Sequence, residues 1–312
     1  MQGLELSRTY FETYGKPMLE QFPELSPYLA AGLLGSGSEC FGFDDTLSQD
    51  HDFEPGFCLF LPGEDQVDRR SAFLLERAYA KLPREFMGVK RPTLQPVGGA
   101  RRGVLRLGEF LEERVGDPQG RLTLDQWLTL PEQGLAEVTN GEVYLDNLGL
   151  LTALRRELAY YPEAVRRKKL AGNLLLMAQA GQYNYLRCVG HGETAAAQLA
   201  VGEFTRATLS VLFLLNRRYQ PYYKWSFRAL RGLPLLSEEA ELLEYLLTSD
   251  NSPEQSGEKS AVMEGIAADV IDVLVDQGLT RANCGDLEKH AYSVNDGIED
   301  GELRNRHILS GI

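Results

Sequence analysis

The chain contains 312 residues, of which 43% are hydrophobic and 25% are charged, as is ordinary for a soluble globular protein. At about 150 residues per domain, this length predicts two domains. The formal net charge of -13 argues against a general binder of nucleic acid or of an anionic membrane, because either partner attracts a basic surface.

The charge is unevenly distributed along the chain. Residues 1–150 carry a net charge of -10, residues 151–231 carry +9, and residues 232–312 carry -12. Two interpretations remain open: the basic segment forms solvated surface patches, or it forms a wall that faces an anionic ligand.

Nothing in the sequence indicates secretion or a membrane anchor. The N-terminus has neither a basic region nor an apolar core of the signal-peptide type, so we expect a cytoplasmic protein. The four cysteines show no metal-binding spacing and predict reduced thiols. The most apolar stretch, 195–216, is interrupted by Gln198, Glu203 and Arg206, and it predicts a buried helix that does not span a bilayer.

The first half of the chain mixes helical and strand patterns. Residues 1–30 look helical with breaks at prolines such as Pro17, and residues 71–82 have helical spacing. An apolar piece covers 29–34, and strands are predicted at 57–61, 103–107 and 142–145. We therefore predict a small domain containing both helices and strands over residues 1–148.

The second half is predicted to be helical. Helices are expected at about 150–159, 163–180, 194–217, 237–248 and 259–277. We assign residues 149–312 to a helical domain, with 236–312 as a C-terminal extension whose role the sequence does not indicate.

The stretch from Gly37 to Asp52 contains the residues that best fit a ligand-binding or catalytic role. Gly37 lets the backbone approach a ligand closely, its amides can form an anion-binding nest, and the Ser38 hydroxyl can donate to a phosphate oxygen. Asp50 and Asp52 are two residues apart, so on a strand both carboxylates point to the same face. Converging carboxylates suit a magnesium ion that bridges to substrate phosphates.

These residues resemble the first motif of the polymerase-beta-like nucleotidyltransferase superfamily. That motif is a hydrophobic residue followed by Gly and then Gly or Ser, and after roughly ten residues by two acidic residues separated by one hydrophobic position. Gly37-Ser38 and Asp50/Asp52 match it with eleven intervening residues, whereas His51 departs from the hydrophobic position.

A longer resemblance is to a bacterial family, domain of unknown function 4037. It rests on Gly-Ser-Glu and Ser-Gln-Asp-His-Asp-Phe near the start, and on the segments 160–162, 181–184 and 214–225, so it covers most of residues 3–235. The resemblance implies an α+β fold, in which a small nucleotidyltransferase-type domain with a mixed sheet precedes an all-helical domain. It implies no known substrate.

The superfamily also has a third carboxylate, which completes the metal site or acts as a base. Glu109, which follows the predicted strand 103–107, and Asp146, which ends the strand-like segment 142–145, are the two candidates. Each has a plain structural alternative, since Asp146 can cap the next helix and Glu109 can be a surface residue.

The helical domain offers cations for a triphosphate. We expect Lys224 to contact it, because the superfamily often supplies a lysine from its helical part, and Arg218 lies beside the same Tyr/Trp-rich turn. Alternatively, the aromatic residues of that turn pack a domain seam. The run Arg166-Arg167-Lys168-Lys169 is expected to be a solvated cluster.

Two classes of function remain. The first is an enzyme that transfers a nucleoside monophosphate, most simply AMP from ATP, to a hydroxyl of a small-molecule or protein acceptor, with Asp50 and Asp52 holding two Mg²⁺ ions. The acidic chain favours a cationic acceptor over nucleic acid. The second is a nucleotide-binding or protein-interaction module that keeps the fold without catalysis. A metal phosphohydrolase built on His51-Asp52 would need more suitably placed histidines, and a serine hydrolase would need a Gly-x-Ser-x-Gly elbow.

Overall fold

The computed structural model describes residues 2–45, 53–91 and 101–312. These residues form two compact units. The first comprises Met1–Leu122 and Pro131–Ala159, and the second comprises Thr123–Leu130 and Tyr160–Ile312.

The first unit contains a four-stranded mixed sheet, in the order β5-β2-β1-β6. Its strands are β1 (Ala30–Leu33), β2 (Cys58–Leu61), β5 (Gly103–Arg106) and β6 (Glu142–Asp146), and a separate hairpin consists of β3 (Glu85–Phe86) and β4 (Val89–Lys90). Strand β1 runs antiparallel to both of its neighbours, whereas β2 and β5 are parallel. The three predicted strands and the α+β class are therefore confirmed, and the apolar piece 29–34 contains the fourth strand of the sheet, β1.

Helices surround this sheet. They are α1 (Gly3–Tyr10), α2 (Lys16–Leu19), α3 (Arg69–Ala80), α4 (Leu107–Val115), α6 (Glu132–Thr139) and α7 (Leu150–Glu157). Pro17 does not break the first helical segment as expected. A π-helical turn at Phe11–Gly15 comes first, and α2 then begins with Pro17 in its opening positions, where the missing N–H is harmless.

The second unit is built from helices. They are α5 (Leu124–Thr129), α8 (Glu163–Met177), α9 (Tyr185–Gly190), α10 (Thr194–Leu215), α11 (Tyr223–Leu230), α12 (Glu239–Thr248), α13 (Pro253–Asp276), α14 (Leu287–Asp296) and α15 (Gly301–Asn305). A π-helical segment, Ala178–Asn184, connects α8 to α9. The predicted helices of this half are present, and residues 283–312 are more regular than expected.

The division between the units differs from the predicted boundary at 148/149. Helix α7 belongs to the first unit because its Thr152 N–H donates to Asp146 Oδ2 at 2.7 Å and Arg155 donates to the Thr139 carbonyl at 2.8 Å. Helix α5 belongs to the second unit, where the Trp127 ring lies 5.9 Å from that of Tyr161.

Helix α10 is the central apolar helix of the second unit. In the part of the chain that the structure describes, it alone has the length and composition of a membrane span, with a mean hydropathy of 1.2. Yet 61% of that apolar stretch is buried, and the helix packs against α8, α9 and α12. It is therefore a core helix, in agreement with the buried helix expected from the sequence.

The basic run at the start of α8 is not a solvated cluster, because two of its members are internal. Lys168 Nζ donates to Asn295 Oδ1 at 2.9 Å and to the Arg306 carbonyl at 2.7 Å. Arg166 Nε donates to the Leu214 carbonyl at 2.9 Å. Both cations thus donate to backbone carbonyls near the ends of other helices. Such hydrogen bonds are needed because a buried charge without a partner is very unfavourable.

Glu239, on α12, is a buried acid in the same unit, with 1% of its surface exposed. Burial, followed by the neighbouring Asp269 carboxylate, raises the pKa of Glu239 to about 7. The contribution of Glu239 to stability is therefore complete below its ordinary pKa of 4.5 and is lost as the pH rises through about 7.

Glu239→Gln should remove this pH dependence, because glutamine stays neutral. We expect the variant to match the parent near pH 5 and to exceed its unfolding free energy at pH 8 by about 1–3 kcal/mol. Urea titrations at the two pH values measure this difference. The exposed Glu241→Gln, on the same helix, is the control and should show no such gain; equal effects of both changes would contradict the assignment.

Candidate functional site

The strand register brings four chain segments to one end of the sheet. Gly32 of β1 pairs with Cys58 of β2, Cys58 pairs with Gly103 of β5, and Leu33 pairs with Glu142 of β6. The carboxyl end of β1 therefore meets the amino ends of the other three strands. We call this the glycine end of the sheet, because the Gly35–Ser38 turn follows β1 there.

The Gly35–Ser38 turn is fixed in place by Asn140. The Gly35 N–H donates to Asn140 Oδ1 at 3.0 Å, and Asn140 Nδ2 donates back to the Gly35 carbonyl at 2.7 Å. Gly35 has a φ of 121°, which strongly favours glycine. The backbone N–H of Gly37 donates to the Cys40 sulfur. Within the described residues, no acceptor receives the backbone N–H groups of Ser36 or Ser38. Free amides of this kind suit an anion.

A buried ion pair lies directly beneath this turn. Arg102 donates to Glu39 Oε1 at 2.8 Å, and the two side chains are only 6% and 8% exposed. Arg102 also donates to the Glu54 carbonyl. Burial alone would lower the pKa of Arg102, but the Glu39 and Glu54 carboxylates raise it. Gly37 is required here, since a Cβ would lie 2.2 Å from Glu39 Oε1.

Two buried thiols, Cys40 and Cys58, adjoin the ion pair. Burial raises the pKa of both, so they stay protonated at neutral pH. Neither is a nucleophile or a metal ligand in this state. All four cysteines are free, as expected from the sequence.

Asp50 and Asp52, the predicted metal ligands, lie outside the described residues. The described residues on either side of them both approach the start of α1 at the glycine end. Asp44 Oδ2 accepts the Gly3 N–H at 2.8 Å, and a Cβ on Gly3 would lie 3.3 Å from the Phe53 ring and 2.4 Å from Glu39.

The structure does not bring Asp146 or Glu109 to the glycine end. Asp146 pairs with Ala30 at the start of β1, which lies about 10 Å along the strand from Leu33. Its Oδ2 atom accepts the Thr152 N–H, so Asp146 caps α7, the structural alternative expected for it. Glu109 follows β5 at the same far end and lines a cavity of about 730 Å³.

A different carboxylate, Glu142, does lie at the glycine end. It is the first residue of β6, pairs with Leu33, has a side chain that is 34% exposed, and forms an ion pair with Arg8 of α1. Sequence reasoning missed it because strand direction, which decides which end of β6 faces the turn, was unknown. In the described part of the chain, no three acidic, histidine or cysteine side chains are close enough to hold a metal.

Lys224 and Arg218, the predicted phosphate contacts, lie in the second unit. Both side chains are exposed. Lys224 Nζ lies 4.9 Å from the centre of the Trp225 ring. Arg218 lies in the turn after α10, where its N–H donates to the Phe213 carbonyl. Both residues are available to a ligand, and their role stays a prediction.

Part of the chain matches the model of a known family. The model of the family described as Domain of unknown function (DUF4037) matches residues 127–226. Among solved structures, the chain is similar to a nucleotidyltransferase-like protein from Exiguobacterium sibiricum 255-15, with 13% identity and a TM-score of 0.36 over 93% of this chain and 79% of that one. No curated protein matches. The resemblance to the unknown-function family is thus supported over residues 127–226, and the polymerase-beta-like branch stays a prediction.

The buried ion pair should be essential for the glycine end. Arg102→Met would leave the Glu39 carboxylate buried without its partner, and we expect a loss of about 3–5 kcal/mol in unfolding free energy. Replacing both residues, by Glu39→Leu with Arg102→Met, should recover most of that loss. Urea unfolding followed by circular dichroism measures it.

Arg69→Met is the matched control, since it breaks an exposed pair with Glu64 in the same unit. It should have little effect on stability. A double variant no more stable than Arg102→Met alone would show that the pair is not the source of the effect.

Proposed function

We propose that this protein transfers a nucleoside monophosphate, AMP from ATP in the simplest case, to a hydroxyl group of an acceptor. The observation that carries the proposal is the Gly35–Ser38 turn, in which the Ser36 and Ser38 backbone N–H groups have no acceptor in the described chain. Asp44 and Phe53, the described residues on either side of the two aspartates, both lie near this end of the sheet. The amides would hold phosphate oxygens, and the Ser38 hydroxyl would donate to one of them.

The chemistry of the predicted ligands fits magnesium. Asp50 and Asp52 would hold two Mg²⁺ ions, and carboxylate oxygens are the ligands that this cation prefers. When bound, the ions would neutralise phosphate charge and orient the nucleotide. We propose Glu142 as the third carboxylate, in place of Asp146 and Glu109, because of its position at the glycine end.

The reaction follows from this placement. The acceptor hydroxyl oxygen attacks the α-phosphorus, the bond to pyrophosphate breaks on the opposite side, and the hydroxyl proton passes to a carboxylate. The buried Glu39–Arg102 pair would support the turn that holds the phosphates. A small cationic acceptor suits the net charge of -13 better than nucleic acid does. The acceptor, two metal ions and a cytoplasmic location stay predictions.

Asp50→Asn and Asp52→Asn should each abolish nucleotidyl transfer. Purified protein with Mg²⁺ and α-labelled ATP, GTP, CTP or UTP is incubated with hydroxyl-bearing acceptors, and pyrophosphate release and labelled product are measured. We expect a fall of at least about 100-fold in rate, because each change removes a charged metal ligand. Asp65→Asn makes the same change in an exposed loop and should retain full activity.

The third carboxylate is tested in the same assay. Glu142→Gln should lower the rate strongly, whereas Glu109→Gln, at the far end of the sheet, should not. The reverse pattern would overturn our placement of the site. If ATP binds with no turnover across a broad acceptor panel, the alternative of a non-catalytic nucleotide-binding module is favoured instead.

A further inference from the structure

Two adjoining cavities in the second unit have basic walls. Their volumes are about 490 and 570 Å³, and Arg167 and Leu279 belong to both. We call them together the arginine groove. Its charged lining consists of the cations Arg166, Arg167, Arg217, Arg281 and Lys289 and the anions Glu163 and Asp296.

In the first cavity, one carboxylate receives three guanidinium groups. Arg166 and Arg167 both donate to Glu163 Oε1 at 3.2 Å, and Arg217 donates to Oε2 at 2.7 Å. Arg166 is fully anchored from behind by the Leu214 carbonyl and Gln277. Glu163 is 42% exposed and stands on the first turn of α8, so it can rotate away without leaving Arg166 unsupported.

Arg217 occupies an unfavourable backbone position. Its φ is 51°, and it follows the end of α10 in a turn where the Arg218 N–H bonds to the Phe213 carbonyl and the Arg217 N–H to the Leu214 carbonyl. Glycine is the preferred residue at this position of such a turn, because a side chain costs about 1 kcal/mol or more there. An arginine is thus kept at the mouth of the cavity against the backbone preference.

The second cavity has cations without acidic partners. Neither Arg281 nor Lys289 forms an ion pair with any residue in the described ranges. Tyr292, 47% exposed, stands beside them and offers an aromatic face. Arg167 links this cavity to the first.

The charge of the groove contrasts with that of the chain around it. Five cationic and two anionic side chains give its lining a net charge of +3, whereas residues 232–312 carry -12. The lining thus concentrates positive charge at a concave surface of an otherwise acidic part of the chain, and this charge suits an anion from solution.

We propose that the arginine groove binds a ligand with two linked phosphate groups, and that Glu163 occupies the first phosphate position until the ligand displaces it. Arg166, Arg167 and Arg217 hold one phosphate, and Arg281 and Lys289 hold the other, with Arg167 between them. The two linked phosphates are supplied by inorganic pyrophosphate or by a nucleoside diphosphate, whose base would stack on Tyr292. This site is independent of the nucleotidyl transfer proposed for the first unit.

Calorimetric titration of the full chain with inorganic pyrophosphate, in EDTA so that metal-dependent binding is silent, tests the proposal. We expect saturable binding that weakens about tenfold in Arg217→Gly, without loss of thermal stability, because glycine suits that backbone position. Glu163→Gln should bind about threefold or more tightly, since it removes the competing carboxylate. A merely structural Glu163 would give no gain.

Arg206→Gln is the matched control, because Arg206 forms a similar exposed pair with Glu203 on α10. It should bind pyrophosphate like the parent. To distinguish the two sources, the affinities for adenosine diphosphate and for pyrophosphate are compared in the parent and in Tyr292→Ala. If the parent binds the nucleotide more tightly than pyrophosphate and Tyr292→Ala does not, the ligand is a nucleoside diphosphate.

Three results would overturn the proposal. The first is the absence of saturable pyrophosphate binding. The second is equal binding of pyrophosphate by the parent, by Arg217→Gly and by the double variant Arg281→Gln with Lys289→Gln, and the third is binding of single-stranded RNA but not of pyrophosphate. The last result would assign the groove to a macromolecule instead.

Discussion

The antiparallel pairing of β1 with both of its neighbours decides which groups can meet in the first unit. It turns the end of β1 towards the beginnings of β2, β5 and β6. The backbones approach so closely that a Cβ on Gly32 would lie 2.4 Å from the Glu142 carbonyl oxygen, and one on Gly141 would lie 1.9 Å from that of Leu33. This register therefore needs glycine at both positions, and the register decides which carboxylate lies beside the turn.

The ion pair of Glu39 and Arg102 depends on that register and in turn supports the turn above it. The two residues are 63 positions apart, and only the juxtaposition of the end of β1 with the start of β5 brings them together. Once desolvated, each charge needs the other, because an isolated buried charge costs several kcal/mol. Because the pair links the segment after β1 to the segment before β5, we expect these two distant segments of the glycine end to fold and unfold together.

The sequence was sufficient for much of the fold, whereas the predicted site residues stay predictions. The hydrophobic periodicity and the positions of glycine and proline predicted three of the four strands of the sheet and the long helices, since those depend on local residues. The position of Glu142 beside the turn was not predictable, because Asp146 and Glu142 lie on the same short strand and only the direction of that strand separates them. The Glu39–Arg102 pair gave no local signal. The predicted positions of Asp50 and Asp52 stay predictions, because these residues lie outside the described ranges.

The basic segment shows why a count of charges cannot decide between a solvated face and a binding wall. Of its cations, Lys168 donates hydrogen bonds to carbonyls inside the second unit. Arg166 donates to a carbonyl on one side and lines a cavity on the other. What matters is whether a charge is compensated where the fold places it. Glu163 alone cannot balance three guanidinium groups, and the acidic residues of the C-terminal helices face elsewhere except for Asp296. A basic stretch can therefore bind a ligand only through those cations that remain uncompensated at a concave surface. Which cations these are depends on how helices that are distant in sequence pack together.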